Sequence, residues 1–300
     1  MHDIAVHVLP LILIFFLGML LKKYGILKKS DADLLLKLFF YVSLPALILL
    51  SIPGLQLDTN LLFLPLSAAS IVFGTYLVSF FSGKSLRLNR SSFAVFLIGS
   101  MIMNGGFAFP FILTAYGEEG MALASLFDFG SALVVFTFVY YQACRYGREA
   151  RGGLHLLRKF LCSPPLLALL LAFALNLTGT GLGDVANAFL EQLAQMTTPL
   201  VLLALGVAFN SRMVRGTPVL SAVAIRMGIG FLLGLSCVEL FALEGFSGTV
   251  TLLMASAPSG VNTLAFSSME KLDTELAAGI VSYATLLGLI WLPLLIYMRA

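Results

Sequence analysis

Ten long apolar stretches joined by short polar segments constrain the fold of this chain more than any other feature. A membrane-spanning helix needs about 20 consecutive apolar residues. The stretches cover roughly residues 4–21, 32–52, 61–81, 92–116, 119–142, 160–178, 187–210, 217–242, 248–269 and 275–298. Hydrophobic residues make up 59% of the 300 residues and charged residues 11%, which leaves too little polar surface for a soluble protein. The pattern therefore excludes a soluble enzyme, a disulfide scaffold and a nucleic-acid-binding protein.

The stretches are predicted to be helical. Only helices and closed barrels satisfy their backbone hydrogen bonds in lipid, and no segment alternates with period two as a barrel strand must. We therefore predict an all-α membrane protein with ten transmembrane helices, whose surrounding partner is the lipid bilayer.

The basic residues fall almost entirely on one side of the membrane in this ten-helix topology. With the N-terminus outside, all but two of the 18 lysine and arginine residues fall in or beside the odd-numbered loops. The exceptions are Arg226, within the eighth stretch, and Arg299, at the C-terminus. Cytoplasmic loops are the ones rich in lysine and arginine. The sequence thus predicts a multi-pass protein of the cytoplasmic membrane with both termini outside.

The chain also matches itself weakly at a shift of 154 residues. The shift superposes Pro10 on Pro164, Pro45 on Pro199, Gly106 on Gly260, Glu119 on Asp273 and Ala124 on Ala278. It spans five stretches, an odd number, so the second half would enter the membrane from the opposite side. We predict two inverted five-helix repeats, residues 1–153 and 154–300.

The fourth and ninth stretches contain the strongest helix-breaking segments inside any predicted span. Proline and glycine both disfavour helix interiors, and broken helices at matching positions of two halves point to the binding site of a transporter. The candidate substrate-binding residues are Asn104, Gly105, Gly106 and Pro110 in the fourth stretch, and Pro258, Ser259, Gly260, Asn262 and Thr263 in the ninth. The alternative is a pair of kinked helices that pack through their glycines.

Two charged residues lie deep inside predicted spans, each about nine residues from the nearer end, where an unpaired charge is costly. Arg226 is a candidate for binding a substrate carboxylate or for supplying a counter-charge. Asp128 is a candidate for proton or ion coupling, because a carboxyl group shielded from water can exchange a proton near neutral pH. A structural salt bridge between the two, or snorkelling of the arginine, is the alternative.

Other motifs predict little chemistry. Gly230 and Gly234 form a GxxxG pattern, which is typical of close helix packing. The sequence contains no nucleophile–base pair, zinc-ligand spacing or phosphate-binding loop, so we predict no enzymatic activity, no metal and no cofactor.

Several segments resemble one known family in order and spacing. They are Gly18 to Leu27 (GMLLKKYGIL), Phe40 to Pro45 (FYVSLP), Asn104 to Pro110 (NGGFAFP) followed by Tyr116-Gly117, Thr198 to Gly206 (TPLVLLALG), and Pro258 to Asn262 (PSGVN). Together they resemble the auxin efflux carrier family, of the bile/arsenite/riboflavin transporter-like superfamily, over nearly the whole chain.

The resemblance implies a ten-helix carrier in which helices 4 and 9 cross and unwind. It also implies a panel domain and a moving transport domain, each built from both repeats. Asn104, Gly105, Gly106, Pro110, Pro258 and Asn262 would line the crossing. Ala108 stands where the family often has a glycine, which predicts a shorter first break, and the short loop at residues 143–160 argues against auxin itself.

The function predicted here is secondary transport of a small organic anion, a carboxylate, with H⁺ or Na⁺ as candidate coupling ions. A sodium-coupled symporter of the bile-acid type and a membrane metabolite sensor that transports nothing are the alternatives. The sequence leaves a homodimer open.

Overall fold

The computed structural model describes residues 2–53, 59–147, 162, 164–209 and 216–299. Within these ranges the regular structure is helical, apart from one isolated antiparallel bridge between Met103 and Ser259. The α-helices are α1 His2–Lys23, α2 Lys29–Leu38, α3 Leu44–Ser51, α4 Phe63–Ser85, α5 Arg90–Met101, α6 Gly105–Val134, α7 Tyr140–Tyr146, α8 Pro164–Thr178, α9 Asp184–Ala194, α10 Thr197–Ala208, α11 Thr217–Val223, α12 Gly230–Leu240, α13 Gly245–Ala255, α14 Asn262–Met269 and α15 Thr274–Arg299.

The prediction of an all-helical membrane protein is confirmed for the described residues. Six helical segments there are long and apolar enough to cross a membrane, and α5, α8 and α13 are shorter apolar helices. The total of ten spans and the inverted repeat stay predictions.

Some helices depart from the predicted stretches. The seventh stretch, predicted as one helix over 187–210, is divided into α9 and α10 at Gln195 and Met196, just before Pro199. The ring of Pro199 removes a backbone donor from the first turn of α10. The described ranges also contain three π-helical turns that the sequence did not predict, at Phe39–Ser43, Val135–Val139 and Ala224–Ile229.

Some predicted features lie outside the described residues. These are the start of the sixth stretch at residue 160 and six of the basic residues of the odd-numbered loops, Arg148, Arg151, Arg158, Lys159, Arg212 and Arg215.

Contacts divide the chain into two units, and each unit takes segments from both halves of the sequence. The first unit consists of Met1–Asp58, Phe109–Ser125 and Lys159–Phe209. In it α1 and α10 approach closely, since a Cβ added at Gly18 would lie 2.5 Å from the Leu203 carbonyl oxygen. Lys22 Nζ donates 2.6 Å to the carbonyl of Phe209, at the end of α10.

The second unit consists of Thr59–Ala108, Leu126–Arg158 and Asn210–Ala300. Two of its helices begin at capping side chains. Asn89 accepts a hydrogen bond from Ser92 N at 2.9 Å and begins α5, and Asp273 accepts one from Leu276 N at 3.0 Å and begins α15. A second hydrogen bond, 2.6 Å from Ser92 Oγ to Asp273 Oδ2, joins the two helix starts. The starts of α5 and α15 are thereby fixed to each other, and α5 ends at Met101, three residues before Asn104.

Candidate functional site

Both candidate stretches are interrupted, and the interruptions meet inside the second unit. The first separates α5 from α6 at residues 102–104, and the second separates α13 from α14 at residues 256–261. Asn104 N donates 2.9 Å to the carbonyl of Pro258, and Gly260 N donates 3.0 Å to the carbonyl of Ile102. These two bonds flank the bridge of Met103 with Ser259, so backbone groups released by one broken helix are partly satisfied by the other.

Glycine and proline make this meeting sterically possible. A Cβ added at Gly260 would lie 2.7 Å from Ile102 Cγ2 and 3.0 Å from the Met103 carbonyl oxygen, so any larger residue would push the two interruptions apart. Pro258 has no N–H to leave unpaired at the bend. The first interruption is the shorter of the two, and Ala108 lies within α6.

Asn104 caps the helix that follows the first interruption. Its Oδ1 accepts a hydrogen bond of 3.1 Å from Phe107 N, which satisfies one free donor of the first turn of α6. Its Nδ2 is buried and has no hydrogen-bond partner among the described residues. A buried amide donor without a partner costs free energy, so this group is available to an acceptor that enters the site.

Asp128 lies against the same helix end. A Cβ added at Gly105, the first residue of α6, would collide with the Asp128 carboxyl group, and it would lie 3.3 Å from Met254 Cε. Asp128 is half-buried rather than enclosed. The N-terminal end of a helix carries a partial positive charge, so this carboxyl group occupies a position that favours anions.

Arg226 contacts the C-terminal ends of α5 and α13, the helices that precede the two interruptions. It belongs to the π-helical turn and is 0% exposed. Nη1 donates 3.1 Å to the carbonyl of Met101, and Nη2 donates 2.5 Å to the carbonyl of Ala255. Both are described residues, and no ion pair joins Arg226 to Asp128, so the predicted salt-bridge alternative is not observed.

The remaining candidate residues of the second unit differ in how exposed they are. Ser259 and Thr263 are fully buried, and their hydroxyl groups lie 3.2 Å apart, within hydrogen-bonding distance of each other. Asn262, the first residue of α14, and Gly106 of α6 are half-buried. The accessible members of the candidate set in this unit are therefore Gly106, Asp128 and Asn262.

The structure brings most of the predicted site residues together. Pro110 lies inside α6, in the part of that helix that groups with the first unit, and the other candidates belong to the second unit. Sequence reasoning missed the carbonyls of Met101 and Ala255. The GxxxG pattern was the available signal: a Cβ at Gly230 would lie 2.5 Å from the Ala255 carbonyl oxygen, and one at Gly234 would lie 2.6 Å from Ala255 Cβ. The predicted close packing at this motif is confirmed.

Comparison with known proteins gives a consistent match. The model of the family described as membrane transport protein matches residues 3–150 and 152–296. A protein of Methanothermobacter thermautotrophicus, described as an uncharacterized transporter, is 26% identical over 96% of this chain and 95% of its own length. An uncharacterized transporter of Methanocaldococcus jannaschii is also 26% identical, over 97% of this chain and 96% of its own length.

Proposed function

This chain belongs to the membrane transport protein family, the auxin efflux carrier family that its motifs resemble, and from that premise we propose that it carries a small organic anion, a carboxylate, across the cytoplasmic membrane. Transport would occur by alternating access at the paired interruptions. Both termini would lie outside, as the loop charges predict.

The buried amide of Asn104 is the observation that carries this proposal. Its Nδ2 has no partner among the described residues, and it stands at the positively polarised start of α6. An acceptor is therefore needed beside a helix end that favours negative charge, and a carboxylate oxygen meets both requirements. Asn262, half-buried at the start of α14, offers a second amide at the other half-helix.

Asp128 gives the proposal a route to proton coupling. Its carboxyl group lies against Gly105 at the same helix end. When ionised it repels a substrate carboxylate and competes for the partial charge of the helix, and when protonated it does neither. Anion binding and proton binding would then favour each other, as symport of an anion with H⁺ requires.

The division into two units supports alternating access. Each unit takes segments from both halves of the chain, which is the composition that a panel domain and a transport domain built from two repeats would have.

A panel of small organic acids tests the proposal on detergent-purified protein. We expect one class of carboxylates to raise the melting temperature, because a ligand at 100 times its Kd adds about 2.7 kcal/mol of stability. The panel is repeated with sodium chloride replaced by choline chloride, which tests the alternative of a sodium symporter. A cooperative melting transition with no shift from any acid would overturn the organic-anion assignment.

Uptake into protein-free and protein-containing liposomes then separates a carrier from a sensor. A carrier moves the stabilising acid across the bilayer without other proteins. A metabolite sensor would show the same thermal shift and no uptake above that of protein-free liposomes.

A further inference from the structure

Arg226 donates hydrogen bonds to the C-terminal ends of both α5 and α13, the helices that precede the two interruptions. Met101 is the last residue of α5 and Ala255 the last residue of α13, and the guanidinium donates to the carbonyls of both. The ends of these helices carry partial negative charge and unpaired carbonyl groups. One side chain therefore supplies the cation and the donors for two helix ends.

The two carbonyls are equivalent positions of the predicted repeat. Met101 and Ala255 correspond under the shift of 154 residues that relates the halves of the sequence. A guanidinium group is planar and presents its donors as a symmetrical fork, so a single Arg226 can bond both carbonyls in the same way. An ammonium group concentrates its charge at one atom and lacks this geometry.

The surroundings of Arg226 are built to enclose it. Met101, Ala255 and Arg226 are each 0% exposed. Any side chain at Gly230 would collide with Arg226 Nη2, and a Cβ there would lie 2.5 Å from the Ala255 carbonyl. Arg226 also lies within a π-helical turn, which displaces it from the regular helical register.

In cation-coupled carriers with broken helices, half-helix C-terminal ends and released carbonyls coordinate the coupling cation. Here those carbonyls are bonded to a side chain that cannot leave. We infer that Arg226 is a resident cation in the place of a mobile coupling ion, so that the paired interruptions are stable without sodium. A further consequence, transport that needs no sodium gradient, rests on the proposed function. The stability of the paired interruptions without sodium does not rest on it.

The first test compares cations on the unmodified protein without substrate. The melting temperature of the purified protein is measured in sodium, potassium and choline chloride at equal ionic strength. We expect the three values to agree. A higher melting temperature in sodium than in both other salts overturns the inference, whatever the organic-acid panel shows.

The second test removes the guanidinium and returns it in solution. We expect Arg226→Ala to lower the melting temperature by about 5 °C or more. Millimolar methylguanidinium should restore part of that loss, and methylammonium should restore less. Arg90 is the matched control, because it also donates to two backbone carbonyls, those of Tyr146 at 3.2 Å and Arg145 at 2.9 Å, but at an exposed position. Arg90→Ala should respond equally to both compounds.

Two further variants separate charge from shape if Arg226→Ala does not fold. Arg226→Lys retains the cation and should melt cooperatively below the wild-type temperature, whereas Arg226→Met, of similar length and neutral, should be less stable than the lysine variant. A methionine variant as stable as the lysine variant, or an Arg226→Ala protein as stable as wild type, overturns the inference.

Discussion

The two ends of the interrupted helices differ in how completely they are satisfied. At the C-terminal ends of α5 and α13, one enclosed guanidinium bonds two carbonyls, and Met101 and Ala255 are fully buried. At the N-terminal ends of α6 and α14, the Asn104 amide donor has no partner in the part of the chain that the structure describes, and Asp128 and Asn262 are half-buried. We call the C-terminal ends of α5 and α13 the closed end of the interruptions, and the N-terminal ends of α6 and α14 the open end.

If the proposed function is correct, this difference predicts which end takes part in binding. At the closed end both helix carbonyls are already bonded to Arg226, so a ligand would have to displace existing hydrogen bonds. The Arg226 Nε has no partner among the described residues, but it belongs to a side chain with no accessible surface. An open end with an unpaired donor at a positively polarised helix start gains from any acceptor that fits. We therefore expect substitutions at the open end to change ligand binding and those at the closed end to change stability.

The largest expected effect is at the open end. Asn104→Leu removes the unpaired Nδ2 donor and places an apolar group where the ligand carboxylate would lie. We expect ligand affinity to fall at least about 100-fold, which corresponds to about 2.7 kcal/mol. The measurement is the thermal shift with the best acid of the panel.

Asn104→Leu also removes the cap of α6, at a cost of about 1 kcal/mol, so its melting temperature without ligand must be measured as well. Asn262→Leu is the companion variant, because no cap hydrogen bond from the Asn262 side chain would be lost. Full binding by both folded variants would show that the open end is not the substrate site.

At the closed end, Gly230→Ala should reduce stability and leave binding unchanged. The added methyl group would meet Arg226 Nη2 and the Ala255 carbonyl, and overpacking of this kind costs about 1–3 kcal/mol. Gly228→Ala is the control in the same helical segment, since a Cβ there meets no atom within 4 Å. The comparison of open and closed ends fails if Gly230→Ala changes ligand affinity as strongly as Asn104→Leu.

The sequence predicted the open end better than the closed end. Asn104, Gly105 and Gly260 were identified because glycine, asparagine and proline inside an apolar stretch contradict an unbroken helix. The partners of Arg226 are backbone carbonyls, and a carbonyl has the same chemistry at every position, so no residue type marks Met101 or Ala255.

The π-helical turn that places Arg226 also lacks a sequence signature, because no residue type in Ala224–Ile229 distinguishes a π-helical turn from an α-helical one. The same limit explains the seventh stretch. Its interruption at Gln195 and Met196 lies just before Pro199, and a proline in the middle of a predicted helix does not by itself distinguish a break from a kink.

Asp128→Asn should remove the pH dependence of anion binding. In the wild type we expect affinity to fall as the pH rises, because the ionised carboxyl group of Asp128 competes with the substrate at the start of α6. The asparagine variant should bind at all pH values about as well as the wild type does at low pH.

The measurement of this pH dependence is the thermal shift between about pH 6 and 8, with a carboxylic acid that stays ionised throughout. A change of about tenfold in wild-type affinity corresponds to about 1.4 kcal/mol. Asp184→Asn serves as the control, since Asp184 is an exposed carboxylate in the first turn of α9. Equal pH dependence in Asp128→Asn and the wild type would remove Asp128 from the coupling step.

The smallest expected effect concerns Ser259, which lies in the second interruption but is enclosed like the closed end. Its hydroxyl group lies 3.2 Å from that of Thr263, and both residues are 0% exposed. Ser259→Ala removes this hydrogen bond and leaves the Thr263 hydroxyl without it, so we expect a loss of about 1 kcal/mol in stability. Ligand affinity should stay within about threefold of the wild type, because the Ser259 hydroxyl already has the Thr263 hydroxyl as a hydrogen-bond partner, whereas Asn104 Nδ2 has no partner among the described residues. An affinity loss comparable with that of Asn262→Leu would show that the binding surface extends through the second interruption. In that case the pairing of polar groups in this conformation would not separate the residues that contact the substrate from those that support them.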